Sequence, residues 1–155
     1  MTAKHLSVAV LACALTGMVA LASDDPSMGT WKLNEAKSKI GAGAAKNNTV
    51  VYTAAGDSVK VTVDGVDGTG KATHSEWTGK FDGKDYPVTG DATGDMRSYT
   101  RVDANTLSFS QKKGGKPTLT GKIVFSADGK SRTVTTTTTT ADGKKVNSTA
   151  VYDKQ

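Results

Sequence analysis

From about residue 23 of this 155-residue chain, apolar side chains fall at every second position, and no stretch repeats them at a helical spacing. Val59, Val61 and Val63 share one face, with Lys60 and Thr62 on the other. Asn48 to Ala55 alternates through Val50, Tyr52 and Ala54. Ala72 to Phe81 sets Thr73, Ser75, Trp77 and Phe81 against His74, Glu76 and Lys80. Leu107 with Phe109, and Ile123 with Phe125, repeat the pattern. A period of two is that of a strand with one face toward a core. The same reading predicts strands over Asp85–Val88, Met96–Val102, Thr106–Gln111, Thr118–Phe125, Arg132–Thr140 and Val146–Tyr152. A first strand, Gly29–Asn34, carries a single bulky aromatic, Trp31, and brings the count to about ten.

Gly, Asp and Asn interrupt the alternation every eight to twelve residues or so, the rhythm of an all-β domain. Asp82-Gly83, Asp128-Gly129 and Asp142-Gly143 are each followed by lysine. Such dipeptides accept the positive φ that tight hairpins demand. Successive hairpins give an antiparallel meander, and closure removes the exposed edges of a meander this long. The predicted fold is therefore all-β: a single antiparallel up-and-down β-barrel of about 8–10 strands. Glu35 to Asn47, rich in alanine, glycine and lysine, breaks the pattern. It is expected to form one short helix or a mobile loop near the barrel mouth.

Large aliphatics are scarce, and threonine occupies strand positions that valine would fill elsewhere, most densely over Thr135–Thr140. Threonine is β-branched and suits either face of a strand. The run reads either as a solvent-facing strand or as a hydroxyl-lined wall of a wet barrel interior.

Residues 1–22 have a different character. Lys4 and His5 precede an apolar run from Leu6 to Ala22, ending in Ala20-Leu21-Ala22 before Ser23. A basic start, an apolar stretch and an A-x-A site are the marks of a cleaved secretory signal helix. The run is short and alanine-rich for a bilayer span. Leu11 stands where a lipoprotein site at Cys13 would want a small residue. The expectation is a signal peptide over 1–22, then one domain over 23–155 that is periplasmic or secreted, monomeric, and without a transmembrane span. Cys13 is the only cysteine, so the mature domain would hold together by packing and sheet hydrogen bonds alone.

Charge adds little. The full chain carries a net +5, but lysines and aspartates are interleaved, and the Lys112-Lys113 and Lys116 cluster flanks Gly114-Gly115 as a hairpin tip would. No nucleic-acid partner is expected. After the leader the only histidine is His74, placed to share a strand face with Glu76. One histidine without cysteine makes no transition-metal site unaided. Gly65 to Lys71 has phosphate-loop spacing, but Ala72 replaces the required hydroxyl residue and no helix follows, so it reads as a glycine-rich hairpin. Asn47-Asn48-Thr49 and Asn147-Ser148-Thr149 are sequons, meaningful only in a eukaryotic secretory route. Neither catalytic residues, a metal site nor a cofactor is expected, and the chain does not read as an enzyme.

The two ends of the chain resemble the calycin group, in particular fatty-acid-binding proteins and bacterial lipocalin-like domains. Gly29-Thr30-Trp31-Lys32-Leu33 is similar to that group's opening strand, and Thr149-Ala150-Val151-Tyr152-Asp153-Lys154 to its closing one. The resemblance implies a barrel that carries a small hydrophobic or amphipathic ligand, with Tyr152 facing it. Ala150 stands where the fatty-acid-binding pattern has the arginine that holds a carboxylate. The segment after the first strand is too short for the two helices that lid those barrels. Small barrels can enclose one such ligand. The expected lining is Trp77, Phe81, Phe109, Phe125 and Tyr152, with Arg97, Arg101 or Arg132 at a polar head. In lipocalins, the resemblance implies, a late arginine packs over the first-strand tryptophan; Gly29, Trp31 and Arg132 are assigned to that structural closure. The competing expectation is a structural or protein-interaction barrel with a filled core and no ligand.

Overall fold

The computed structural model describes residues 25–140 and 142–155. The signal peptide expected over 1–22, with Cys13, lies outside them. Ten strands run in order: β1 (Gly29–Leu33), β2 (Lys46–Ala55), β3 (Ser58–Val66), β4 (Ala72–Gly79), β5 (Tyr86–Thr89), β6 (Met96–Asp103), β7 (Thr106–Lys113), β8 (Lys116–Phe125), β9 (Ser131–Thr139) and β10 (Lys145–Lys154). Each pairs antiparallel with its sequence neighbours, and β1 pairs with β10, closing the barrel. The up-and-down barrel expected from the alternation is the observed fold.

The turn chemistry works largely as expected. Gly129 and Gly143 sit at hairpin tips with φ of 69° and 79°, a region open to glycine without steric cost. Asp82-Gly83 does not form a tight hairpin. It lies in the longer connection between β4 and β5, where Asp82 bridges to Thr100 of β6. Strand β4 accordingly ends at Gly79 rather than Phe81.

Residues 34–45, between β1 and β2, contain the short helix expected there and are otherwise held against β10 rather than left as a free loop. One 3-10 turn, Glu35–Lys37, is capped by the Asn34 side chain, which accepts from the Lys37 amide at 3.2 Å. Ser38 leaves the helical conformation, too early for a stable helix. The chain then lies along β10: Lys39 and Thr149 exchange backbone hydrogen bonds of 2.7 and 2.8 Å, and the Gly41 amide donates to Ser148 Oγ at 3.0 Å. This segment extends the short β1 seam toward the far end of β10.

Trp31 is fully buried at the end of the barrel where β1 begins. Its indole Nε1 donates to the Ser27 carbonyl at 2.9 Å. Asp25 pairs with Arg101 on β6. Because β6 stands opposite β1 in the ring of strands, that ion pair carries residues 25–28 across the Trp31 end and stoppers it. Burial opposes ionisation of Asp25, but hydrogen bonds from Ser27 and the Arg101 charge outweigh it and hold the carboxyl below its ordinary value.

Trp31→Ala removes the largest side chain of this closure and leaves a cavity against Phe125. Truncating a buried Trp costs about 3–5 kcal/mol. Urea unfolding of the variant is expected to show a loss in that range with an unchanged m-value. A loss under about 1 kcal/mol, a typical value for an undistinguished site, would refute the role assigned to Trp31.

Candidate ligand-binding lumen

Strand pairing fixes which side chains share the interior. Arg132 is in register with Phe125 of β8 and Tyr152 of β10. Its guanidinium lies 5.0 Å over Trp31, 5.1 Å over Tyr52 and 4.6 Å over Tyr152. Phe125 packs on Trp31 at 5.6 Å between ring centroids. Lys154 Nζ lies 5.2 Å from the same indole. Trp31, Phe125, Arg132 and Tyr152 therefore form the floor of the barrel, with Phe125 and Tyr152 in the packed core rather than on open space. Desolvated cation–π contacts contribute ~2 kcal/mol each, which offsets part of the cost of burying a charge. Burial pushes the phenols of Tyr52 and Tyr152 upward despite the opposing Arg132 charge, so both stay neutral donors. Gly29 begins β1 beside the floor, with its Cα facing the Lys154 side chain.

The wall built from β2 to β6 is filled. Val50, Val61, Val63, Trp77 and Tyr99 are buried there. Trp77 stacks on Phe81 at 6.4 Å and meets Tyr99 edge-on at 4.8 Å, and its Nε1 donates to the Arg97 carbonyl at 2.9 Å. Phe81, just beyond β4, is half-buried. Tyr99 stacks in turn on Phe109 at 5.6 Å. The Phe109 ring lies across Gly121, where an added Cβ would come within 2.5 Å of Cζ.

Two of the three arginines expected to meet a ligand have partners within the protein. Arg97 donates from Nε to Gln111 Oε1 and from Nη2 to Asp91 Oδ2, both at 2.9 Å, while Gln111 donates to Thr93 Oγ1 at 2.9 Å. This buried network ties the β5–β6 connection over the end opposite Trp31. Arg101 pairs with Asp25 and lies 5.0 Å over Phe81. Arg97 and Arg101 thus stand at opposite ends of the barrel and do not converge on one point.

The remaining wall, from β7 to β10, is thinner. Phe109, Leu119, Val134, Thr138, Val146 and Ala150 point inward by register with buried neighbours, yet all are only half-buried. In a closed barrel, an inward side chain meets solvent through the lumen. The inward column of β9 changes character with depth: Thr138 and Thr136 near the open end, then Val134, then Arg132 at the floor. Sequence reasoning did not single out Val134 or Ser148; it placed Tyr52 only on an alternating strand and Thr136 only within the threonine run. Their alternation is visible, but their register against β8 and β10 is not.

The threonine run answers to both readings on alternate residues. Thr136 and Thr138 face the interior. Thr135 and Thr137, with Thr120, Lys122, Asn147 and Thr149, line a shallow groove of about 440 Å³ that Gly121, Thr136 and Ser148 also border. A second depression of about 360 Å³ lies outside the lumen between the Ile40–Ala44 segment and the β3–β4 turn.

His74 faces outward. Its Nδ1 lies 2.6 Å from Asp64 and its Nε2 3.7 Å from Glu76, with more than half of the imidazole exposed. The Gly65–Lys71 stretch is the end of β3 and the β3–β4 turn, closed by Asp67 accepting from the Thr69 and Lys71 amides. Among the described residues no group of three or more His, Cys, Asp or Glu side chains is placed to hold a metal. None of the helices described is long and apolar enough to cross a membrane.

No family model and no curated protein matches the sequence. A solved structure, that of EF1p2_mFAP2b bound to DFHBI, is similar at a TM-score of 0.50 and 9% identity, over 84% of this chain and 94% of that one. At that identity the likeness is one of fold.

The Asp64 hydrogen bond, aided by Glu76, raises the His74 pKa above 6.5. A raised folded-state value means the interaction stabilises below about pH 6.5 and is lost as pH rises through the raised pKa. The imidazole proton shifts should therefore titrate with a midpoint above 6.5, and the midpoint should fall in Asp64→Asn. An unchanged midpoint in that variant would show that Asp64 is not the cause.

Proposed function

We propose that the barrel binds a small hydrophobic or amphipathic molecule in its lumen, against the β7–β10 wall, without catalysis. The observation that carries this reading is the contrast between the two walls. Most inward apolar side chains on β2–β6 are buried, Val59 and Tyr86 being among those partly exposed, whereas on β7–β10 Leu107, Ile123, Phe125 and Tyr152 are buried but Phe109, Leu119, Val134 and Ala150 stay partly exposed inside a closed barrel. Apolar surface left within reach of water is surface that a ligand stabilises by covering, about 25 cal/mol for each Å² removed from water. Thr136, Thr138 and Ser148 near the open end supply hydroxyls for a polar part of such a molecule. In EF1p2_mFAP2b, a barrel of similar fold, the bound molecule is DFHBI; that precedent concerns the architecture and not this chain's ligand.

The lumen reading also accounts for the small side chain at position 150. Ala150 lies between Tyr152 and Ser148 on β10 and opposite Val134, where a larger residue would fill the space. As for setting, we infer a periplasmic or secreted monomer with the domain over 23–155, on the character of the leader alone.

An environment-sensitive apolar dye is expected to bind the parent protein at one site with enhanced emission. Ala150→Trp, which places an indole in the thin wall, should weaken that binding at least tenfold while leaving the barrel's circular dichroism intact. If the dye does not bind the parent, or binds the blocked variant equally well, the lumen reading fails and the barrel is a filled scaffold used through its surface.

A further inference from the structure

The chain has three arginines, and two of them are matched with acceptors. Arg97 has Gln111 and Asp91, and Arg101 has Asp25. Arg132 is the most buried of the three, at 2% exposure, and its Nε and Nη1 have no hydrogen-bond partner. Every element packed around it presents an aromatic or a cation: Trp31 from β1, Tyr52 from β2, Phe125 from β8, Tyr152 and Lys154 from β10. Among the described residues no carboxylate stands within ion-pair distance of it.

Stacking alone does not explain this arrangement. Aromatic faces satisfy the flat faces of a guanidinium, whereas its N–H bonds point outward in the plane and need acceptors. A buried donor left unmet carries its full desolvation cost, more so when charged. The protein meets that demand at Arg97 and meets it in part at Arg101, whose Nη1 is also unpartnered but whose charge Asp25 balances; it leaves both acceptor and counter-charge missing at Arg132, where the charge is most deeply enclosed. The missing partner is an acceptor, and the missing charge is a single negative one. The Tyr52 and Tyr152 phenols cannot supply that charge, because burial keeps them protonated; the Tyr52 oxygen accepts a hydrogen bond from the guanidinium, but Nε and Nη1 remain unpartnered.

We propose that the barrel floor is a monoanion-binding site, in which Arg132, ringed by Tyr52 and Tyr152, holds a carboxylate-sized or smaller anionic group. That group has two possible sources: a free small anion such as formate or chloride, or the anionic head of a molecule seated in the lumen along Val134 and Ala150. The first source is independent of the proposed lumen function, and the second rests on it.

The test uses the 23–155 protein and its three arginine 1H–15Nε signals. At constant ionic strength, gluconate, too large for the floor, is replaced by formate, by chloride, or by a trace of octanoate with octanol as its neutral control. A saturable shift of the Arg132 signal alone, with a saturable rise in Tm, is expected. If formate or chloride produces it, the anion is free. If only octanoate does and octanol does not, the anion is a ligand head. Arg132→Met should remove the response, and where that variant does not fold, Tyr52→Phe should weaken it severalfold. No response to any of the anions beyond that in gluconate, or a response that survives in a folded Arg132→Met variant, overturns the site. Dye binding that persists without any anion response leaves the lumen function standing and removes only this inference.

Discussion

A meander becomes a barrel only where its first and last strands meet, and here that seam is short. Trp31, Lys32 and Leu33 of β1 face Lys154, Asp153 and Tyr152 of β10. Unclosed, β2 and β10 would each present a long edge of unpaired amides and carbonyls, ready to pair with another chain. Two features reinforce the seam. The segment after β1 continues it through the paired backbone of Lys39 and Thr149. On the interior side, Trp31 is clamped between the buried Ser27 carbonyl, Phe125, and the cations of Arg132 and Lys154. Residues 25–28, anchored across the barrel by Asp25 and Arg101, stopper the same end. Hydrogen bonding closes the cylinder, and apolar burial at Trp31 gives the closure its stability.

That investment at one end leaves the two walls unequal. Aromatics from β4, β6 and β7 stack from Trp77 through Tyr99 to Phe109 and fill the β2–β6 side. Opposite them, above the floor, β8 to β10 set the small Gly121, Thr136, Thr138, Ser148 and Ala150 beside Leu119, Val134 and Val146, side chains too short to reach across. The interior consequently grades from a cationic, aromatic floor through a short apolar band to a hydroxyl-lined mouth. The same economy of large residues leaves Arg132 enclosed without a counter-charge. Packing and electrostatics at the floor are therefore one problem, and the ion-pair networks at Arg97 and Arg101 show how the chain solves it elsewhere.

Much of this was legible in the chain itself, because a period of two and Asp-Gly or Gly-rich punctuation are local signals. Val59 to Val63 declares a strand with one wet face regardless of what lies beside it, and ten such strands with short links leave few topologies open. The alternation also told which half of Thr135–Thr140 faces which way, once a single neighbour was known to be inside. It did not tell the register. That Arg132 lies level with Phe125 and Tyr152, that Ala150 opposite Val134 leaves room, and that Arg97 and Arg101 sit at opposite ends follow from pairing between strands, decided by closure of the whole cylinder. The connection after β1 was legible only in part: its short helix was expected, but Glu35 to Asn47 has weak local preferences, and hydrogen bonds to Thr149 and Ser148 on a distant strand shape the rest. Sequence determined the strands and their count, since backbone geometry and turn chemistry act over a few residues. Only the tertiary structure decided which inward side chains meet, because that depends on pairing between strands and on a closure that joins residues more than a hundred apart along the chain.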